Sequence, residues 1–178
     1  DKFDNQIEFS VYDRNNKPAL NSLDYHKYVC IYNSRNQRIE IEYYGKDGEL
    51  TSYNNDKYAI QKDEYDERGY IVRTSYYGKD KQLVVSNEGW ASSTREYDVL
   101  GNVLKQSFFG IDGKPTDPKV MVPEGLCRYD RWGNRIYLAA GDGKGHLIIN
   151  PKTGWSIQKS EYNSRGKLLS EAYFDENE

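Results

Sequence analysis

Two histidines, two cysteines, a set of recurring acidic turns and a row of aromatic rings are the groups in this chain that could do chemistry. His26 and His146 are the general acid–base candidates, because imidazole changes charge near neutral pH. Neither has a Cys, Ser or acidic partner at a recognisable catalytic spacing. Nucleophile-elbow, zinc-protease, phosphate-loop and dinucleotide motifs are all missing from the sequence. The expectation is a chain that is not an enzyme, with no catalytic residue and no cofactor. Asp47, Asp80, Asp112 and Asp142 recur beside glycines, which invites a calcium reading. An EF-hand loop needs several oxygen ligands at alternate positions and a closing Glu. These turns offer one or two, so they are read as turn formers and no metal site is expected.

The aromatic row is the sharpest candidate. Tyr25, Tyr58, Trp90 and Trp155 recur at one place in the sequence pattern. Flat amphipathic rings with polar neighbours can stack on sugars or grip an extended peptide. The competing reading makes the same rings the core of an aliphatic-poor protein, and it carries more weight because buried aromatics dominate packing energy. These four, with the outward ring Tyr77, are the ligand-binding candidates.

What must position them is a repeat. A tyrosine followed by Asp or Asn returns as Tyr32-Asn33, Tyr65-Asp66, Tyr97-Asp98, Tyr129-Asp130 and Tyr162-Asn163, at intervals of 33, 32, 32 and 33 residues. Constant intervals of this length mean one supersecondary unit stacked on copies of itself. Seven residues before four of the anchors stands the aromatic of the row, with Val122 in the fourth copy. Four residues after most anchors comes glycine: Gly69, Gly101, Gly133 and Gly166, with Asn36 in the first. Aromatic pairs follow at Tyr43-Tyr44, Tyr76-Tyr77, Phe108-Phe109 and Tyr173-Phe174; the fourth copy reads as one residue shorter, with Ala139-Ala140. One repeat-array domain over residues 1–178 is expected, comprising 1–31, 32–64, 65–96, 97–128, 129–161 and 162–178.

Each copy reads as strand, tight turn, strand, turn. Asp and Asn bond their own backbone two residues on, and Gly takes positive φ without steric cost. Apolar residues at helical spacing do not persist over three turns anywhere. The fold class is therefore all-β: tandem hairpins in an elongated, curved antiparallel meander of nine or ten strands, as a single sheet, spiral or partly closed barrel. The longer connection from Asp112 to Pro123 leaves room for a short irregular segment. Successive strand residues face opposite ways, so one ring of each aromatic pair points in and the other out.

Composition agrees. The hydrophobic fraction is 37% and the charged fraction 30%, so 17 tyrosines and 3 tryptophans must pack where aliphatic residues usually do. Net charge is −3 with both signs interspersed, which argues against a nucleic-acid partner. The longest apolar stretches are too short for a membrane-spanning helix, so no membrane insertion is expected. The start at Asp1, without Met, reads as a piece of a longer chain. Cys30 and Cys127 occupy the same place in copies three units apart. Six strand spacings of about 4.8 Å would separate them by roughly 29 Å, and a disulfide needs Cα atoms within about 7 Å. Free thiols are expected. Other copies place Asp63, Arg95 and Ser160 there, so the slot reads as lying outside the deep core.

The motif Tyr97-Asp98-Val99-Leu100-Gly101-Asn102, with Tyr129-Asp130-Arg131-Trp132-Gly133-Asn134, resembles the YD repeat of the RHS and teneurin family. That likeness implies β-hairpins of the kind that wind into large extracellular or toxin-enclosing shells. The aromatic pair followed by Gly45-Lys46-Asp47-Gly48 is similar to MORN-type hairpin repeats of bacterial surface proteins. The expected function is a non-enzymatic scaffold or binding module of a larger bacterial envelope or secreted protein, with a protein or glycan partner. A carbohydrate-binding repeat and a fragment of an RHS-like shell are the alternatives.

Overall fold

The computed structural model describes residues 1–117 and 119–177, and these are all-β. The chain divides into two compact units, Asp1–Ser92 and Ser93–Glu178. The first contains β1 (Glu8–Ser10), β2 (Lys27–Tyr32), β3 (Arg38–Tyr44), β4 (Ile60–Tyr65) and β5 (Ile71–Tyr77). The second contains β6 (Ser92–Tyr97) apart from its first residue, β7 (Val103–Phe109), β8 (Glu124–Tyr129), β9 (Arg135–Gly141), β10 (Ile157–Tyr162) and β11 (Leu168–Phe174). Within each unit the strands lie in chain order. The described residues thus form eleven strands, not nine or ten, because the short β1 pairs with β2. No helix among the described residues is long and apolar enough to cross a membrane. The connection from Asp112 to Pro123 includes Pro118, which lies outside the described residues; next to it the amides of Val120 and Met121 both donate to Asp117 O.

The anchor sequence builds each hairpin locally. Asp98 Oδ1 accepts from the amides of Leu100 and Asn102 at 2.8 and 2.9 Å, and Asp130 Oδ1 does the same for Trp132 and Asn134. Asn33, Asp66 and Asn163 repeat the pattern. Gly101 and Gly133 adopt φ of 90° and 85°, and Asn36, one of the few side chains that tolerates this region, takes 66°. The left-handed residue pushes one extra residue into the returning strand. Ile31 pairs with Glu40 while Tyr32 pairs with Arg38, and the same bulge recurs beside Tyr65, Tyr129 and Tyr162.

Attachment to the preceding hairpin begins just before the first strand. Ala59 donates its amide to Tyr77 O and accepts from Tyr43 N; Ser156 does the same between Phe174 and Ala140. Both are fully buried, and His26 and Pro123, which hold the same place in other copies, are buried as well. The anchor tyrosines then reach backwards: Tyr65 Oη donates to Arg38 O at 2.8 Å, and Tyr32 Oη to Gln6 O at 3.2 Å.

Two sequence readings are corrected here. The slot of Cys30, Asp63, Arg95, Cys127 and Ser160 is core at Cys30, Asp63 and Ser160, which are buried, and half-buried at Arg95 and Cys127. Asp63 tolerates it because its carboxylate accepts from the Thr74 hydroxyl and the Gln61 amide, both at 2.8 Å, with Arg38 at 4.0 Å. The fourth hairpin is not short by a residue. Gly125 pairs with Ala140 and Glu124 with Gly141, as Tyr28 pairs with Tyr43 and Lys27 with Tyr44. Ala140-Gly141 therefore stands where the other copies have their aromatic pair. The turn that follows starts at Asp142, whose amide donates to His146 O as Gly45 N donates to Glu49 O.

Candidate functional site

The candidate rings of the first unit are parts of a continuous aromatic spine. Strand parity puts Tyr43 and Tyr76, the first ring of each pair, on the face that also carries the anchor tyrosines. Tyr43 bridges Tyr25 and Tyr58, with ring centroids 5.1 and 6.4 Å away, and Tyr53 lies 4.6 Å from it. Tyr76 stacks on Tyr58 at 4.3 Å and meets Trp90 at 4.6 Å. These distances fall within or just below the usual range for aromatic pairs, and offset and tilted geometries dominate. Tyr25, Tyr58 and Trp90 are only 7%, 8% and 4% exposed. Burial, as the largest cause, raises the phenol pKa of Tyr43 and Tyr58 well above its ordinary value.

The opposite face of the same hairpins is charged. The second ring of each pair lies beneath a lysine: Lys27 Nζ sits 5.1 Å from the Tyr44 ring centroid and Lys62 Nζ 5.4 Å from that of Tyr77. Lys62 also pairs with Glu40 at 3.1 Å, and Lys81 with Glu42 at 4.0 Å. Tyr44 Oη donates to Glu42. Its pKa is pushed up to about 12, chiefly by burial and then by that bond and the carboxylate charge. Tyr77 is thus half-buried and lysine-capped. In the second unit Trp155 is half-buried, 5.4 Å from the Tyr173 ring, and lines a cleft.

The titratable candidates are occupied locally. His26 is buried, its Nδ1 is 2.7 Å from Val11 O, and Tyr12 meets its ring edge-on at 5.3 Å. His146 Nδ1 lies 2.9 Å from Asp142 Oδ2 on one exposed turn. That partner, with the Lys144 and His146 amides, holds Asp142 down at about 2. Asp47, Asp80 and Asp112 each accept the amide two residues on, which is a turn-forming role. Among the described residues no group of three or more His, Cys, Asp or Glu side chains gathers as metal ligands would. Cys30 and Cys127 are free thiols; burial, the largest cause, raises the Cys30 pKa.

Sequence reasoning missed the bridging role of Tyr43 and Tyr76, because the bulge beside each anchor tyrosine shifts the strand parity that would have shown it. It also missed Tyr53, which sits in a variable connection and has no periodic signal.

No family model matches the chain, and no curated protein does. Among solved structures, the crystal structure of TcdB2-TccC3-TEV is similar over 83% of this chain, with 15% identity and a TM-score of 0.41. This chain spans 8% of that one.

Proposed function

We propose that this chain is a non-enzymatic hairpin-repeat scaffold, a module of a larger bacterial envelope or secreted protein, whose aromatic row is interior at Tyr25, Tyr58 and Trp90. One observation carries the reading: Tyr25, Tyr58 and Trp90, the rings best placed in sequence to hold a ligand, are each at most 8% exposed and packed between neighbouring hairpins. A sugar cannot stack on a ring face that another ring already covers. Repeat modules bury each copy against the next and leave the outer surfaces for partners. Here the partner is a protein that meets the polar face carrying Glu40, Lys62 and Lys81.

Likeness to the YD repeat is favoured over the MORN type by the turn chemistry. In Asp98-Val99-Leu100-Gly101-Asn102 the Asp caps two amides, the Gly supplies positive φ, and Asn102 Nδ2 donates to Asp98 Oδ2 at 2.9 Å. Every residue that defines the motif has a task in the turn, which supports a hairpin scaffold of the RHS-shell kind. Titration with a panel of oligosaccharides, followed by tryptophan fluorescence, tests the scaffold reading against the glycan one. The expected result is no saturable change at millimolar sugar. A saturable change abolished by Trp155→Ala would put carbohydrate binding in its place.

A further inference from the structure

The second unit contains a cleft of about 150 Å³ lined where the first unit has interlocked rings. Backbone register makes the comparison residue by residue. Gly125 pairs with Ala140 as Tyr28 pairs with Tyr43, and Cys127 with Leu138 as Cys30 with Ile41. The Asn150 amide donates to Trp155 O as the Tyr53 amide donates to Tyr58 O. Val122 precedes its anchor Tyr129 by the interval that separates Tyr25 from Tyr32. The lining therefore includes Val122, Gly125, Leu138, Ala140, Asn150 and Trp155 at the places of Tyr25, Tyr28, Ile41, Tyr43, Tyr53 and Tyr58, and it is completed by Phe108, Met121, Glu124 and Ala139.

In the first unit Tyr43 is the hub of this group, with centroids of Tyr25, Tyr28, Tyr53 and Tyr58 within 6.5 Å. Here the hub is the methyl group of Ala140, and three of the four surrounding rings have become Val, Gly and Asn. A Cβ placed on Gly125 would meet no heavy atom within 4 Å. Trp155 and Phe108 are aromatic walls, Val122, Met121 and Leu138 supply apolar surface, and the buried Glu124 carboxylate in the lining is paired with Lys105 at 2.6 Å. A cavity of about this size lined by Leu, Ile and Phe takes up benzene.

We propose that this cleft is a binding site for a single unfused aromatic ring, phenyl or phenol, which takes the place that the Tyr43 ring holds in the first unit. Asn150 Oδ1 accepts from the Lys152 amide at 2.9 Å, so the Asn150 side-chain N–H group is what the lining offers a phenol oxygen. The inference does not depend on the scaffold reading: a scaffold with or without this site is still a scaffold.

The test is an NMR titration with phenol, following the Trp155 indole N–H and the methyl groups of Val122 and Leu138. Parallel titrations use N-acetyl-tyrosinamide and cyclohexanol. Saturable shifts confined to these groups are expected with phenol, and Ala140→Tyr should abolish them by restoring the hub ring. Binding of N-acetyl-tyrosinamide as well would mark the ring of a polypeptide as the source, and binding of phenol alone a free small molecule; either supports the site. Failure of phenol to give saturable shifts overturns the proposal, as does equal binding of cyclohexanol or undiminished binding by Ala140→Tyr. Should that variant not fold, Val122→Phe fills the cleft from another wall and is read in the same way.

Discussion

Asp66, Asp98, Asp112, Asp130 and Asp142 each hold backbone amides with an ionised carboxylate, and all five have pKa values below the ordinary one. For Asp98 and Asp130 the largest cause is the side-chain amide of Asn102 or Asn134, followed by backbone N–H groups and opposed by desolvation. A carboxylate with a depressed folded pKa adds stability that is complete above its unfolded pKa and is lost as pH falls through the folded one. The unfolded value lies at about 3.9, and for Asp142 the folded value is about 2. Thermal stability should therefore decline between about pH 4 and about pH 2, where these carboxylates take up protons. The double variant Asp98→Asn/Asp130→Asn keeps the Oδ1 acceptors and should show a shallower decline in circular-dichroism melts. An unchanged acid slope would contradict this role. Asp130→Ala, which removes both acceptor oxygens, should lower the melting temperature at neutral pH more than Asp130→Asn, which keeps Oδ1 for the backbone amides but loses the bond from Asn134 Nδ2. These turns were legible in the sequence because their chemistry is local: a Tyr-Asp pair and a glycine at fixed offsets specify the acceptor, the donors and the left-handed residue. Asp63 was not legible, because its partners Thr74 and Arg38 come from other strands.

At the scale of the hairpin, the anchor tyrosine ties one element to the one before it. Tyr65→Phe removes the bond to Arg38 O and should cost about 1 kcal/mol in denaturant unfolding. A neutral result would mean that the hydroxyl exchanges this bond for water at no loss. Ile60 and Ile157 stand at the same place in two hairpins and are 2% and 0% exposed. Either one changed to Ala should destabilise by about 2–5 kcal/mol, through lost transfer energy and the cavity left behind. Strand order and hairpin partners followed from the repeat alone, since consecutive strands separated by short turns pair with one another. Ala139-Ala140 was misplaced for a physical reason. No ring marks the pair in the fourth hairpin, and its register shows instead in Leu147, which bridges Gly141 as Leu50 bridges Tyr44 and Leu83 bridges Tyr77.

At the scale of the whole molecule, the tyrosine packing of the first unit gives the protein an alkaline limit as well as an acid one. Phenols whose folded pKa is raised, such as Tyr43 and Tyr58, contribute stability that is complete below about pH 10, their ordinary pKa, and lost as pH rises further. Phenolate absorbance should therefore rise in two stages, with the buried set ionising only as the fold is lost. The function was less legible than the architecture. An aromatic row reads identically in sequence whether it is a core or a ligand platform, and only the bridging rings of Tyr43 and Tyr76 decide between them.

The central claim is that the row is interior, and paired tryptophan substitutions test it most directly. Trp90 is 4% exposed and packed on Tyr76, while Trp132 is 58% exposed, with the Arg131 guanidinium over its ring. In denaturant unfolding, Trp90→Ala should lose about 3–5 kcal/mol, and Trp132→Ala should stay within about 0.5 kcal/mol of the parent. Equal, small losses in both variants would contradict the account, since they would place Trp90 on a surface that has room for a ligand.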